Sequence, residues 1–159
     1  MGHLMPQTRL VVLLCGPAGA GKTTAARASG LNVFDRDEPQ WRSERDFTAA
    51  LAALGRDDTA RAVVIRAGAT SSARARSARL IRATHVYLLT APPRDLGHRV
   101  VRRNRADVRH GLASIKSWFA RFDRDDGVLD FPGWGAISPG CAAPASGAPV
   151  LRTSRRWVT

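Results

Sequence analysis

With 159 residues, 44% of them hydrophobic, the chain carries enough apolar material for one domain built on one core. No apolar run approaches the roughly 20 residues that cross a bilayer, which excludes a transmembrane class and points to a cytoplasmic protein with no membrane partner. The formal charge of +12 is concentrated: residues 61–109 hold twelve of the 25 basic residues but only Asp95 and Asp107 as acids. A polyanion, nucleic acid first of all, is one partner such a surface suits. Codon preference in a GC-rich genome explains why only Lys22 and Lys116 are lysines, but it does not explain the scarcity of acids in that stretch.

Residues 1–7 read as a tag-like, disordered start and stand outside the fold argument. Leu10–Cys15 is a strand-length apolar run that stops at Gly16 and leads through Pro17-Ala18-Gly19-Ala20 to Gly21-Lys22-Thr23-Thr24, the spacing of a P-loop. Glycines at 16, 19 and 21 let successive N–H groups turn inward around a phosphate. Gly16, Ala18, Gly19, Ala20, Gly21, Lys22, Thr23 and Thr24 are therefore the expected nucleotide-binding residues. Lys22 is placed to reach the outer phosphates and Thr23 to hold Mg²⁺, with the amino end of the following helix directed at the same anion. ATP and Mg²⁺ are the expected cofactors.

Lys22–Ser29 reads as a helix ended by Gly30, and Asn32–Phe34 as a second strand. Its exit carries Asp35-Arg36-Asp37-Glu38, and in parallel α/β sheets the carboxyl ends of strands line the ligand crevice. A carboxylate there can take a proton from an attacking hydroxyl or help hold Mg²⁺; the same acids also suit the first turn of the next helix. Asp37 and Asp35 are the candidates, with Asp35 also assigned to the metal. Trp41 and Arg42 follow, as cleft residues or, for Trp41, as a buried anchor. Phe47–Leu54 has helical spacing and closes at Gly55.

Ala62–Ile65 reads as the third strand. It ends at Arg66 where a Walker-B strand normally carries an acid, so either the metal leans on Thr23 and the Asp35/Asp37 cluster, or Arg66 contacts phosphate directly. Ser71–Ile81 is a helix dense in arginine (Arg74, Arg76, Arg79). A fourth strand, His85–Leu89, precedes a break at Ala91-Pro92-Pro93 and a helix over residues 94–105. Arg99, Arg102 and Arg103 are spaced to share a face and converge on one anion, unless that face simply meets solvent. Leu112–Phe122 is amphipathic, and the remainder is rich in turn signals, packed by Phe131 and Trp134, with a possible last strand over residues 150–153. Cys15 and Cys141 read as free thiols, and the four histidines have no metal-ligand spacing.

Val11–Thr24, the Asn32–Glu38 segment with its Arg36-Asp37 pair, Val63–Ile65, and His85–Leu89 followed by the arginine helix together resemble the kinase domain of phage 5′-hydroxyl polynucleotide kinases. They are also similar to small phage P-loop kinases that phosphorylate hydroxymethylated pyrimidines in DNA. The resemblance runs over residues 8–122 and implies an α/β, three-layer P-loop NTPase fold of the nucleoside or polynucleotide kinase kind, with a central parallel sheet and an Arg-rich helical lid. Residues 123–159 are then an irregular extension packed on the same domain. The resemblance places the general base on Asp37. The family's substrate arginine falls on Gln40, with Arg42 nearby, and Arg66 stands where the family has an acidic segment. The implied activity is transfer of the γ-phosphoryl group of ATP to a hydroxyl, on nucleic acid or, alternatively, on a nucleoside or other small molecule. A DNA-stimulated ATPase module is the third reading. Lys22, Asp37, Asp35, Arg99, Arg102 and Arg103 are the expected catalytic set, and Arg36, Arg42, Arg66 and Trp41 the expected substrate contacts.

Overall fold

The computed structural model describes residues 7–103 and 107–137. Five parallel strands form one sheet in the order β2-β3-β1-β4-β5, with β1 at Leu10–Cys15, β2 at Asn32–Asp35, β3 at Arg61–Arg66, β4 at His85–Leu88 and β5 at Leu129–Asp130. The helices are α1 (Lys22–Ala28), α2 (Glu44–Arg56), α3 (Ser71–Ile81), α4 (Pro93–Arg102) and α5 (Val108–Arg121). The sheet with helices on both faces is the three-layer α/β arrangement of a P-loop NTPase.

β1 is buried along its whole length, as a strand flanked on both sides and covered on both faces must be. Its side chains alternate between two layers. Val11, Leu13 and Cys15 join Phe47 and Leu51 of α2, Ile81 of α3 and Trp118 of α5. Leu10, Val12 and Leu14 face the other way, onto Ala26 of α1, Tyr87 and Ile137, with Phe131 and Trp134 packed at the edge. A third cluster of Ala20, Leu96 and Ile115 seats α4 and α5 beside the P-loop.

Several boundaries differ from the sequence reading for identifiable reasons. Gly55 does not close α2; it lies inside it, because a Cβ there would sit 2.1 Å from the Leu80 carbonyl oxygen, and only glycine permits that approach of α2 to α3. The helix begins earlier as well, at Glu44, where the Ser43 hydroxyl accepts from the Asp46 N–H at 3.1 Å. Both α2 and α3 end on Arg9, whose guanidinium donates to the carbonyls of Leu54, Asp57, Ile81 and Arg82. This satisfies acceptors that a helix terminus leaves open.

The stretch after residue 122, read as irregular coverage, also supplies β5. Phe131 N–H donates to Leu88 O at 2.8 Å, and the Trp134 indole donates to Ala25 O at 2.7 Å, tying this segment to α1. Arg74, read as part of a basic surface, is fully buried. Its guanidinium makes two 2.9 Å contacts with Asp126 and also donates to the carbonyls of Gly68, Ala69 and Asp123. The helix expected over 94–105 is α4, ending at Arg102 with Arg103 as its cap. Residues 1–6, the strand expected over 150–153, Arg105 and Cys141 lie outside the described residues.

Candidate active site

The loop between β1 and α1 is fixed by close approach and by glycine geometry. A Cβ at Gly16 would lie 1.9 Å from Leu89 O, and Gly19 and Gly21 adopt φ of +79° and +90°, open chiefly to glycine. α4 braces the loop, since Arg99 donates to Gly19 O at 3.1 Å.

Lys22 folds back so that its Nζ donates to Gly16 O and Pro17 O, each at 2.7 Å. Two of its three protons are thus held by the loop. Burial disfavours the charged form and brings its pKa down to about 8, although Cys15, Asp35 and Asp37 act in the opposite direction. A bound triphosphate favours the ammonium, so nucleotide binding should draw in a proton. The uptake is expected to grow as pH rises from 7 to 9 through the lowered lysine pKa of about 8, because the free lysine is then increasingly neutral. Calorimetric titration in buffers of different ionisation enthalpy measures it; equal heats in all buffers at pH 8.5 would mean that the lysine is already charged. Cys15, directly behind the loop, has its thiol pushed up to about 12 by burial and is expected to resist alkylation in the folded protein.

Asp35, buried at the end of β2, receives the Thr23 hydroxyl at 2.8 Å on one oxygen and the Asp37 N–H at 3.1 Å on the other. The Thr23 proton is therefore committed to Asp35, and the hydroxyl's lone pairs remain for a cation. This is the donor set a Mg²⁺ ion takes beside nucleotide phosphates: hard oxygens, few from protein. Among the described residues no group of three or more His, Cys, Asp or Glu side chains gathers to hold a metal.

Two clefts meet at these residues. One, of about 440 Å³, runs along the loop from Ala18 to Thr24 and is bordered by Arg27, Glu38 and Arg103. The other, of about 500 Å³, opens on the far side of Lys22 and is bordered by Gly16, Arg36, Glu44, Arg66, Arg76 and Trp118. Lys22, Asp35 and Asp37 line both.

Not every residue singled out in the sequence arrives here. Arg99 reaches the loop and Arg103 the first cleft, but Arg102 turns to a shallow surface with His98, Val101 and Leu112. The three arginines do not converge: Arg99 and Arg103, one turn apart, share a side that Arg102 does not. Arg42 is exposed and borders neither cleft. Trp41 packs on the core, 6.2 Å from the Phe34 ring and 5.1 Å from Phe47 between centroids, and borders neither cleft. Arg36 and Arg66 both border the second cleft, as does Asp37.

Other residues at the site went unremarked in the sequence. Trp118 was read as core only; it is core, and its indole also donates to Ala67 O at 2.8 Å on the cleft wall. Arg27 and Glu44 sit on helices with no motif to mark them. The i, i+3 and i+4 spacing that carried the reading of α4 also placed Trp118 inward, but nothing local separates a core tryptophan from a core tryptophan that also borders a cleft.

Fold and loop together define a P-loop protein with a nucleotide-phosphate site. Among solved structures, the chain is similar to a shikimate kinase from Acinetobacter baumannii in complex with shikimate, at 16% identity and a TM-score of 0.46 over 94% of this chain and 91% of that one. It is also similar to APE1195, at 13% identity and a TM-score of 0.45 over 95% and 94%. No protein-family model matches the sequence, and no curated protein matches it. Among the described residues no helix is long and apolar enough to cross a membrane.

Proposed function

We propose that the protein is an ATP- and Mg²⁺-dependent phosphotransferase that moves the γ-phosphoryl group to a hydroxyl. One observation carries this reading: two clefts, one walled by the P-loop and one by arginines, share the same lysine and the same two aspartates. A protein that only bound nucleotide would need the first cleft alone. Transfer needs both, with a base where they meet.

In this reading Mg²⁺ supplies charge neutralisation at the phosphates, and Thr23 and Asp35 hold it. Asp37 is exposed and borders both clefts, which suits it to accept the hydroxyl proton as the acceptor oxygen bonds to the γ-phosphorus and the bond to the β–γ bridging oxygen breaks. Lys22 and Arg103 offset the charge on the transferring group, and Arg99 keeps α4 seated on the loop. Asp37→Asn is expected to leave ATP affinity within about twofold and to lower turnover by about 10²-fold or more. Normal turnover in this variant would remove Asp37 from the mechanism.

The acceptor we favour is nucleic acid, through a 5′-hydroxyl end or a hydroxymethylated base in DNA. Arg76, Arg94, Arg99, Arg102, Arg103 and Arg109 are all exposed, and such a set gives a phosphate backbone several places to lie. A second reading, a small hydroxylated metabolite or nucleoside, is favoured by the second cleft, whose volume of about 500 Å³ and lining of one tryptophan and three arginines suit a small polar acceptor. Transfer of labelled γ-phosphate to 5′-hydroxyl DNA, 5′-hydroxyl RNA, hydroxymethylpyrimidine DNA and free nucleosides separates the two. Transfer to a polymer should fall steeply with salt; transfer to a small acceptor should not.

A further inference from the structure

Glu44 is the first residue of α2, and its carboxylate is shared between two arginines from adjacent strand ends. Arg36 Nε donates to one oxygen and Arg66 Nη2 to the other, each at 3.0 Å. Asp35 and Ile65 are register partners in the sheet, so the residues that follow them, Arg36 just past β2 and Arg66 at the end of β3, lie side by side. Arg66 is further steadied with its guanidinium 5.4 Å from the Phe47 ring centroid. The two guanidiniums are thus held one on each oxygen of a single carboxylate, on the wall of the second cleft and in the same space as Lys22 and Asp37.

The occupant of that fork is weakly attached. The Glu44 side chain is 57% exposed, and ion pairs so open to water contribute little. Nothing packs it in place, so it can swing into solvent without opening a cavity. Arg76, which borders the same cleft, makes no ion pair among the described residues. The cleft therefore has two arginines on an exchangeable carboxylate and a third beside them, an arrangement suited to planar or tetrahedral oxyanions.

We propose that Arg36 and Arg66 form an oxyanion-binding subsite for the phosphoryl acceptor, and that Glu44 is its internal occupant, displaced when the carboxylate or phosphate of an acceptor enters. This rests on the phosphotransferase reading and adds to it the substrate class: the acceptor carries an oxyanion close to its hydroxyl, and that group selects it. The exchange has a stated cost. Every acceptor must compete with Glu44, so apparent affinity is reduced by the fraction of molecules in which the fork is filled.

The test is a titration of the full chain, with Mg²⁺ and ADP present, by inorganic phosphate and separately by acetate. The Nε–H signals of Arg36 and Arg66 are followed by NMR and assigned with Arg36→Lys and Arg66→Lys. Glu44→Gln is expected to bind at least one of the two anions about tenfold more tightly than wild type, as removal of a competitor that fills the fork in roughly nine molecules of ten would do. Arg66→Lys in the Glu44→Gln background should abolish that gain. A preference for phosphate would indicate a phosphorylated acceptor and a preference for acetate a carboxylic one. Equal affinity in wild type and Glu44→Gln, or a gain that survives Arg66→Lys, overturns the proposal. The arginine signals report the fork whether or not ADP binds. Failure of ADP to bind would strike the phosphotransferase reading instead, and ADP binding without the gain strikes only the subsite.

Discussion

Lys22→Met is expected to lower phosphoryl transfer by about 10³-fold or more and to weaken ATP binding as well. The ammonium is largely withdrawn from water and already pinned by two carbonyls at 2.7 Å, so its remaining proton is directed rather than free to wander. In that environment a fixed positive charge acts more strongly on a phosphate than it would in solvent, and its position needs no rearrangement as charge moves during transfer. Methionine keeps most of the side-chain volume and should leave β1 and the loop in place. Single-turnover transfer of labelled phosphate, with ATP affinity measured by calorimetry, separates the chemical loss from the binding loss. Turnover near that of wild type would deprive the loop of any chemical role.

The second large effect is on stability. Arg74→Met should destabilise the fold by about 3–5 kcal/mol, read from the midpoint of urea unfolding. Asp126 is 7% exposed and faces the guanidinium with both oxygens; without Arg74 it is left as a lone carboxylate in the interior. The carbonyls of Gly68, Ala69 and Asp123 lose their donor in the same step. Adding Asp126→Leu to Arg74→Met should recover much of the loss, because replacing both members of a buried pair by apolar groups removes the uncompensated charge. If the double variant is no better than the single one, the carbonyl contacts carry the stability and the ion pair does not.

Arg74 also shows where sequence reading runs out. Composition places it in an arginine-dense stretch, and density suggests a basic surface; its partners Asp123 and Asp126 lie far along the chain, in a segment with no periodicity. A distant pairing of this kind leaves no local trace. β5 was hidden for a related reason: two residues are too few to show alternation, and the strand exists because β4 offers an unpaired edge. By contrast the P-loop was plain, since its spacing answers to the size of a phosphate and not to anything elsewhere in the chain. Asp35 and Asp37 were legible through the rule that strand exits face the crevice. Arg102 was misplaced because positions three and four residues beyond Arg99 were read as one face, whereas Arg102 and Arg103 are adjacent and point about 100° apart, so that only Arg103 turns to the first cleft. Glu44 had no signal at all: an acid in a first turn is what any helix favours, and only the two strand ends beside it give it another role.

The strand order carries a consequence for synthesis. β1 lies at the centre of the sheet and is made before both of its neighbours, β3, which begins at Arg61, and β4, which begins at His85. Until both have been made, Leu-Val-Val-Leu-Leu-Cys is an uncharged apolar hexamer with nothing to pair with, the kind of segment that seeds aggregation among nascent chains. Arg9 on one side and Pro17 on the other interrupt it, in the manner of residues that guard an unavoidable sticky strand. Because every strand pair joins distant parts of the chain, folding should be slow relative to a helical protein of this size, and the yield of soluble protein should depend on translation rate and temperature more than on the stability of the finished fold.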